Sequence, residues 1–541
     1  MLPHSCFALV VGGGPTALVT AILLARYGFT IVVVERHPLR LGQPKANVIN
    51  ARSAEIFRQF GLETSQLRAK GLDPEESRRV IFGSSMFGVE FGFIDREEFS
   101  TNDTPEPTFG SPQPVLEEVL LGIAKSTGKV IYLRENEWLG CTESSDKIIT
   151  SVVRYGGDNT ERTITSKYLI GCDGIHSKTR EVLNVKFDCI DEIPDIPQHY
   201  MSIHFRGDLS HSQPALLHII LDPSNLGVLI PYNRKNEWVF MTQCDPTTTT
   251  KEIYTHEYCR SRIIKAVGYE VECQILENRL WTTATKIAAS FRSKTMRNAF
   301  LAGDAAHCFP PTGGLGMNTG IADAHNLTWK ILAVERGWAK ETFLDTFTTE
   351  RRQVAESNAR HSASNETKML NLTKVVFQNE MSAQELMENS VMRTNIEDAI
   401  LDNSEHFQSL NMHIGYVYGH HQHTRKCSDY QKESVSGARL PHAWVKLNGQ
   451  TVSTLDLIDG FNFVLITSEG FTTLSEVLVN DIPVRVQQLG RDFTDSSEGT
   501  WSTLMKLSGE QHGVLVRPDQ HIIGHVQSLD EVASCLLQYL A

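Results

Sequence analysis

The densest chemistry in the chain lies between Phe300 and Gly320. An apolar run ends in Gly303-Asp304, and Pro310-Pro311-Thr312-Gly313-Gly314-Leu315-Gly316-Met317-Asn318 follows as a loop. A helical pattern opens at about Met317, with Ile321, Ala324, Leu327 and Ile331 at helical spacing. A glycine loop feeding a helix gathers free N–H groups and the positive dipole end at one point. That point holds negative charge, on a phosphate or on a reduced ring. Asp304, just past a strand, can accept hydrogen bonds from a chain of hydroxyls. A second constellation stands near the start, where Gly12, Gly14 and Ala17 satisfy G-x-G-x-x-G/A and Glu35 lies 18 residues after Ala17. Glycine at the first position permits a tight turn, and at the second lets backbone approach a pyrophosphate. The small third residue lets helix pack on strand, and the acid suits a ribose. This spacing predicts dinucleotide binding, without separating FAD from NAD.

The elements that must position these residues can be read around them. Phe7–Val11 and Ile31–Val34 are short apolar strands, with a helix through Leu18, Ala21, Ile22 and Ala25 between them. The loop from Arg36 to Asn50 carries Arg36, Arg40 and Lys45, whose charges can face a phosphate. Ala51–Phe60 reads as an amphipathic helix. Gln113 stands just ahead of another helix, where its amide can both donate and accept. Lys167–Cys172 reads as a strand ending in Asp173-Gly174, the place where open sheets put ligands, and Ser177 caps the helix beyond.

Composition bounds the rest. The 541 residues are 41% hydrophobic and 21% charged, which fits a globular protein of several domains. A net charge of -13 argues against a broad nucleic-acid surface. No apolar run reaches the length of a membrane span, and the first residues lack a signal pattern, so a cytoplasmic location is expected. The ten cysteines form no C-x-x-C pair, and no metal ligand set is visible. His420, His421 and His423, with His413 upstream, lack cysteine or acid partners for a metal.

From about Ile193 the texture changes to short strands, Tyr200–Arg206, Leu216–Leu221, Gly227–Ile230 and Glu237–Thr242, separated by turn clusters. These predict an antiparallel sheet inserted into the dinucleotide domain, with Tyr232, Trp238 and Trp281 as candidates to line a pocket. A long helical region runs from Leu344 to about Glu405. The tail reads as a separate small domain. It has strands at Phe461–Thr467 and Val484–Leu489 with a helical stretch between them, a hairpin Gly513–Val516 / His521–His525, and a last helix opened by a Ser528–Glu531 capping box. The expected divisions are 1–190 and 286–370 for the dinucleotide domain, 191–285 for the inserted sheet, 371–434 for a helical linker and 435–541 for the tail.

Taken together, Gly12-Gly13-Gly14-Pro15, Asp173-Gly174 and Gly303-Asp304-Ala305-Ala306-His307 resemble the three FAD motifs of the single-component flavoprotein aromatic hydroxylases. Pro311 to Ala324 resembles that family's flavin loop. The stretch from Ser436 to about Val526 resembles the redox-inactive thioredoxin-like domain of its phenol-hydroxylase branch. The resemblance implies an α/β fold: a Rossmann-like FAD-binding domain, an inserted antiparallel-sheet substrate domain and a C-terminal thioredoxin-like domain. It implies non-covalent FAD held by Gly12, Gly14, Ala17, Glu35, Arg36, Lys45, Asn47, Gln113, Asp173, Gly303, Asp304, Pro311, Gly316, Met317 and Asn318. Within that set Glu35 holds the adenosine ribose, Gln113 the flavin side and Asp304 the ribityl chain. Asp173 supports the cofactor and nicotinamide use, and Leu315 to Asn318 offer N–H groups to the flavin's pyrimidine edge.

It further implies NADPH or NADH as co-substrate, O2 as oxidant, a flavin C4a-hydroperoxide, a small aromatic phenol as substrate, a homodimer through the tail, and a place in secondary metabolism. One departure stands out. Phenol hydroxylases carry an Asp in the loop after the second strand, and Asn47 stands there, which cannot act as a base. No catalytic base is therefore assigned. Baeyer–Villiger insertion, a flavin dehydrogenase or reductase without oxygen chemistry, and a non-catalytic flavoprotein remain as rival readings.

Overall fold

The computed structural model describes residues 3–38, 46–72, 76–96, 102–190, 193, 198–233, 235–244, 253–378, 380–419, 425–507 and 512–541. Its first strand, Ser5–Val11, is buried along its apolar run and pairs in parallel on both sides, Ala8 opposite Ile31 and opposite Tyr168. Val130–Arg134 lies beyond Ile31–Glu35, and Ala299–Leu301 beyond Glu161–Gly171. In chain order these five parallel strands lie 3-2-1-4-5, the doubly wound arrangement. The order reverses between Ser5–Val11 and Glu161–Gly171, so the ligand crevice of such a sheet opens where Gly12 and Asp173 stand. Continuous apolar runs form these strands because both faces of the parallel sheet are covered, one by the helices Pro15–Arg26 and Gln113–Ser126 and the other by an antiparallel ribbon through Trp138 and Val153. Glu161–Gly171 is longer than the sequence suggests, because its polar first half pairs antiparallel with Ile149–Tyr155 outside the parallel core.

The second sheet has seven strands in the order Gln274–Thr283, Gln198–Arg206, Glu237–Gln243, Gly227–Pro231, Leu217–Ile220, Arg79–Gly83 and Glu90–Asp95. It is wider than the inserted stretch. Two strands come from residues 79–95, joined by the sheet's one parallel pairing, Leu217 opposite Val80. One face packs on the helix His256–Val267 through Met201, Ile203, Phe205, Trp238 and Phe240. Trp238 thus lies in this outer core rather than lining a pocket toward the cofactor domain, because strand alternation turns it to the helix side. The opposite face packs on the long helix Thr346–Phe377 through Leu372 and Val376. The same helix joins the cofactor-domain core at Ala355 and Ala359. It is continuous through the expected division at 370.

In the tail, Phe463–Thr467 runs parallel to Ile482–Gln488 and antiparallel to Gly513–Val516, within a five-stranded sheet. The helix expected after Phe463–Thr467 is absent. Bends lead instead to Glu476–Val479, which turns back through Asn480 and Asp481, both at positive φ (47° and 66°) as a tight hairpin demands. At the last helix the Ser528 hydroxyl accepts from Glu531 N–H. The Glu531 carboxylate takes the N–H of Gln527 rather than that of Ser528, so the capping box is not reciprocal.

The tail docks on the cofactor domain through both apolar and charged groups. Trp329 and Ala333, on the helix Gly316–Glu335, share a core with Phe463 and Leu465 of the tail. Arg439 forks onto Glu55 at 2.6 and 2.9 Å. Arg517 reaches Glu350 at 3.0 and 3.1 Å, Lys330 donates to Glu350 at 2.9 Å, and Arg52 donates to the Gln520 amide at 2.8 Å. Burial pushes the Glu350 carboxyl up, yet Arg517 and Lys330 outweigh it and hold the group at about 2.

Candidate active site

The Gly12 turn, the end of Glu161–Gly171, the Asp304 turn and the loop helix meet at the switch point of the parallel sheet. Gly12 has φ 98°, and a Cβ there would stand 2.4 Å from the Cys172 carbonyl oxygen, so no other residue fits where the two strands end. The next N–H, of Gly13, donates to the Glu35 carboxylate at 2.8 Å, and His37 N–H donates to its other oxygen at 2.8 Å. Glu35 thereby fixes the turn as well as ending its strand. Gly14 caps the helix Pro15–Arg26, and a Cβ on it would meet nothing within 4 Å. That open side, beside the helix's free N–H groups, is a cradle for a phosphate. Ala17 is fully buried against the sheet.

Asp304 sits on a single 3-10 turn, Gly303–Ala305, with its carboxylate exposed and without a hydrogen-bond partner among the described residues. The turn beneath it is held tightly. Gly303 N–H donates to Asp323 at 3.0 Å, His307 Nε2 lies 2.6 Å from the same oxygen, and Arg351 Nε donates to the other at 2.8 Å. Arg351 also donates to the Thr319 carbonyl and the Tyr418 hydroxyl, both at 3.1 Å. Asp323, His307 and Arg351 are all fully buried. Burial raises the Asp323 carboxyl, but His307 and Arg351 prevail and hold it below its usual range. A Cβ on Gly303 or Gly320 would strike the Thr16 hydroxyl at 2.8 or 2.3 Å, so the Asp304 turn and the loop helix meet backbone to backbone with the Thr16 side chain packed against both.

The helix Gly316–Glu335 opens on the loop Pro311 to Leu315, where Gly313 and Gly314 take φ 91° and 63°. Thr312 and Ser362 exchange hydrogen bonds at 2.8 and 3.0 Å, pinning the loop to the long helix. Gly316 leaves its Cβ side open, with Phe309 the nearest atom at 4.0 Å, and Met317 is half-buried. Asn318 points inward. Its amide donates to the Val48 and Gly314 carbonyls and accepts from Asn50 N–H, so its side chain ties the loop to residues 48–50.

Gln113 is the first residue of the helix Gln113–Ser126. Its N–H donates to the Ala46 carbonyl and its amide to Glu117 at 2.8 Å. Asp173 spends both oxygens on its own loop, accepting from Ser177 at 2.5 Å and from the Thr179 N–H and hydroxyl at 2.9 and 3.1 Å. It shapes the end of the crevice through that loop. Arg36 is exposed and lines, with His37, Glu135, Glu137, Arg154 and Asn159, an open cavity of about 420 Å³ on the Glu35 side. Lys45, Arg40, His420, His421 and His423 lie outside the described residues. Among the described residues no group of His, Cys, Asp or Glu is arranged to hold a metal, and His413 is buried with Nε2 3.2 Å from the Ser409 hydroxyl.

Asn47 faces the second sheet. Its amide nitrogen stands 3.5 Å from the Pro231 carbonyl, and its Oδ1 is buried with no hydrogen-bond partner. On the sheet's inner face Tyr200 stacks on Trp281 at 4.8 Å between ring centres, and Trp281 Nε1 donates to the Ser202 hydroxyl at 2.9 Å. The Tyr200 hydroxyl meets the carboxyl of Glu366, one residue beyond Asn365, which borders Gly313. Burial raises both the Tyr200 hydroxyl and the Glu366 carboxyl.

The donor set fits FAD. A phosphate cradle, an unpartnered carboxylate for hydroxyls and a bare helix N-terminus lie on segments in mutual contact. Sequence reasoning gave Asp323 and Arg351 no role. Their signal, an acid and a base buried on facing helices, appears only once the helices are packed.

This is the architecture of a two-domain flavoprotein carrying a third, C-terminal domain. A profile of the FAD binding domain matches residues 5–362, and one of the aromatic-ring hydroxylase C-terminal domain matches 433–534. The chain belongs to this FAD-binding aromatic-ring hydroxylase family. A putative polyketide hydroxylase of Streptomyces halstedii is 28% identical over 95% of this chain and 92% of its own length. The phenol 2-monooxygenase of a Pseudomonas species is 28% identical over 96% of this chain and 90% of its own. The crystal structure of the flavin-dependent monooxygenase PieE with FAD and substrate superposes with a TM-score of 0.89 and 25% identity, covering 99% of this chain and all of that one.

Proposed function

We propose that this chain is a monooxygenase that takes electrons from NADPH or NADH and places one oxygen atom of O2 on an electron-rich, phenolic ring. The junction itself carries the reading: Asp304 lacks a partner, Gly14 and Gly316 are bare, and the second sheet turns its inner face to the same loops. When bound, the flavin supplies electron transfer and oxygen activation. The chain does the rest. Gly12, Gly14 and Ala17 seat the pyrophosphate, Glu35 and Arg36 the adenosine, and Asp304 the ribityl hydroxyls. The N–H groups from Gly316 to Asn318 stabilise negative charge at the ring edge. The second sheet excludes water from the reacting ring. The names of the Streptomyces and Pseudomonas relatives support an aromatic substrate.

The test is an anaerobic visible spectrum during mixing with NADPH, with and without phenolic compounds. Bleaching that one phenol accelerates supports the reading. No bleaching with either nicotinamide refutes it. Asn47 favours a second reading, Baeyer–Villiger insertion into a ketone, since an amide exchanges no proton with a phenol. An ester or lactone product from a ketone, with no hydroxylated phenol, decides for that alternative.

A further inference from the structure

The inner face of the second sheet carries a cation that closes no ion pair among the described residues. Arg279 lies on Gln274–Thr283, directly opposite Ser202 and two residues from Trp281. Its orientation is fixed from both sides. Asn278, the residue before, donates to the Tyr254 carbonyl on the helix side of the sheet, whereas Trp281 stacks on Tyr200 on the inner side. Residues alternate along a strand, so Arg279 shares the inner face with Trp281. One of its guanidinium nitrogens, Nη1, is buried without a hydrogen-bond partner. Glu277 shares this face two residues away, but no described carboxylate forms an ion pair with Arg279.

Burying part of a guanidinium without an acceptor is costly, so such a group calls for a ligand, an ordered water or an ion to complete it. A second donor stands beside it. Ser202 accepts from Trp281 Nε1 at 2.9 Å, which leaves its own hydroxyl proton to donate elsewhere. Facing residues on neighbouring strands hold their Cβ atoms about 5 Å apart, so the two donors can close on the two oxygens of one carboxylate. The cross-strand row continues from Arg279 and Ser202 through Met241 to Val228. It crosses four strands, about 14 Å at the usual spacing. Its far half is apolar and its near half donates hydrogen bonds, with Trp281 as an aromatic wall. The row borders the cofactor junction, since Tyr200 reaches Glu366 beside the Gly313 loop.

We propose that Arg279 and Ser202 form an anion subsite that binds a carboxylate on an extended, multi-ring aromatic ligand, with the rings laid along Met241 and Val228. The proposal rests on the monooxygenase reading only in taking that ligand as the substrate.

The test uses the FAD-loaded full-length protein and two probes with the same rings that differ in the charge and hydrogen bonding of one substituent, anthraquinone-2-carboxylate and anthraquinone-2-carboxamide, titrated by the change in flavin absorbance. The wild type binds the acid about tenfold or more tightly than the amide, as expected of a charge-assisted pair. Arg279→Gln abolishes that preference by weakening the acid alone, and Arg279→Lys restores part of it. Ser202→Ala weakens the acid several-fold and serves as the second variant if Arg279→Gln fails to fold, which flavin content and the melting curve reveal. Equal affinities in the wild type, no binding of the acid, or a preference that survives both substitutions overturns the subsite. NADPH-driven bleaching of the same wild-type sample is scored separately. A protein that prefers the acid but is never reduced keeps the subsite and loses the proposed reaction.

Discussion

At the tail interface Arg439 and Glu55, Arg517 and Glu350, and Lys330 and Glu350 all close on one another inside the protein. At the cofactor junction the Asp304 carboxylate, the Asn47 Oδ1 and the Arg279 Nη1 have no hydrogen-bond partner among the described residues. Both regions use charged and amide side chains, but at the tail the charged pairs are closed, whereas at the junction they are not. A saturated buried network contributes to the fold and is destabilised when either partner goes, because the survivor keeps its desolvation cost. An unsaturated group contributes little to the empty protein and acts when a ligand arrives. The difference predicts which substitutions cost stability and which cost binding.

The largest expected effect is on binding. Asp304→Ala should purify with little or no flavin, an affinity loss of about tenfold to a hundredfold as charged hydrogen bonds to hydroxyls vanish. Its flavin-free melting temperature should match that of flavin-free wild type, since the side chain is exposed and unpaired. Full flavin occupancy in the variant would mean that Asp304 does not hold the cofactor.

Arg439→Ala is the opposite case. Both partners of the Arg439–Glu55 pair are almost fully buried, and removing one should cost about 3–5 kcal/mol by chemical denaturation. A cost below about 1 kcal/mol would mean that the Arg439–Glu55 pair behaves like an exposed surface pair. The interface also sets an acid limit. Burial presses the His521 imidazole down to about 4 despite nearby Asp519, so the docked histidine is neutral where the unfolded one takes a proton. Stability from this group is complete above about pH 6.5 and falls as the pH drops from there toward 4. The loss is on the order of 3 kcal/mol, and melting at pH 7 and pH 5 reads part of it. A flat melting temperature across that window would contradict the burial of His521.

The smallest and sharpest contrast is between neighbouring glycines. Gly12→Ala should destabilise the protein by at least about 1–2 kcal/mol from its left-handed backbone alone, with the clash at Cys172 added. Gly14→Ala should melt like wild type without flavin yet bind FAD more weakly, because its Cβ enters only the space a phosphate takes. Equal stability losses in the two variants would remove the distinction.

Much of the junction was legible in the sequence because its constraints are local. A tight turn, a strand's end and a helix's opening each demand glycine or an acid within a few residues, and Gly12, Asp304 and Gly316 stand in such turns. What was not legible depends on which face meets which neighbour. Trp238 looks like a pocket residue until alternation and the helix His256–Val267 claim it. The strands at 79–95 join the second sheet only through the distant Leu217. Asp323 finds Arg351 across two helices. Asp173 keeps the expected place, but its oxygens turn to Ser177 and Thr179, a preference set by loop geometry.

The helix Thr346–Phe377 has a practical consequence for recombining this chain with its relatives. Its first half is cemented to one sheet at Ala355 and Ala359, and its second half to the other at Leu372 and Val376. A crossover inside it would splice two mismatched surfaces onto a single rigid rod. Chimaeras that exchange the second sheet should therefore carry the whole rod with it, with junctions placed before Thr346 and after Phe377.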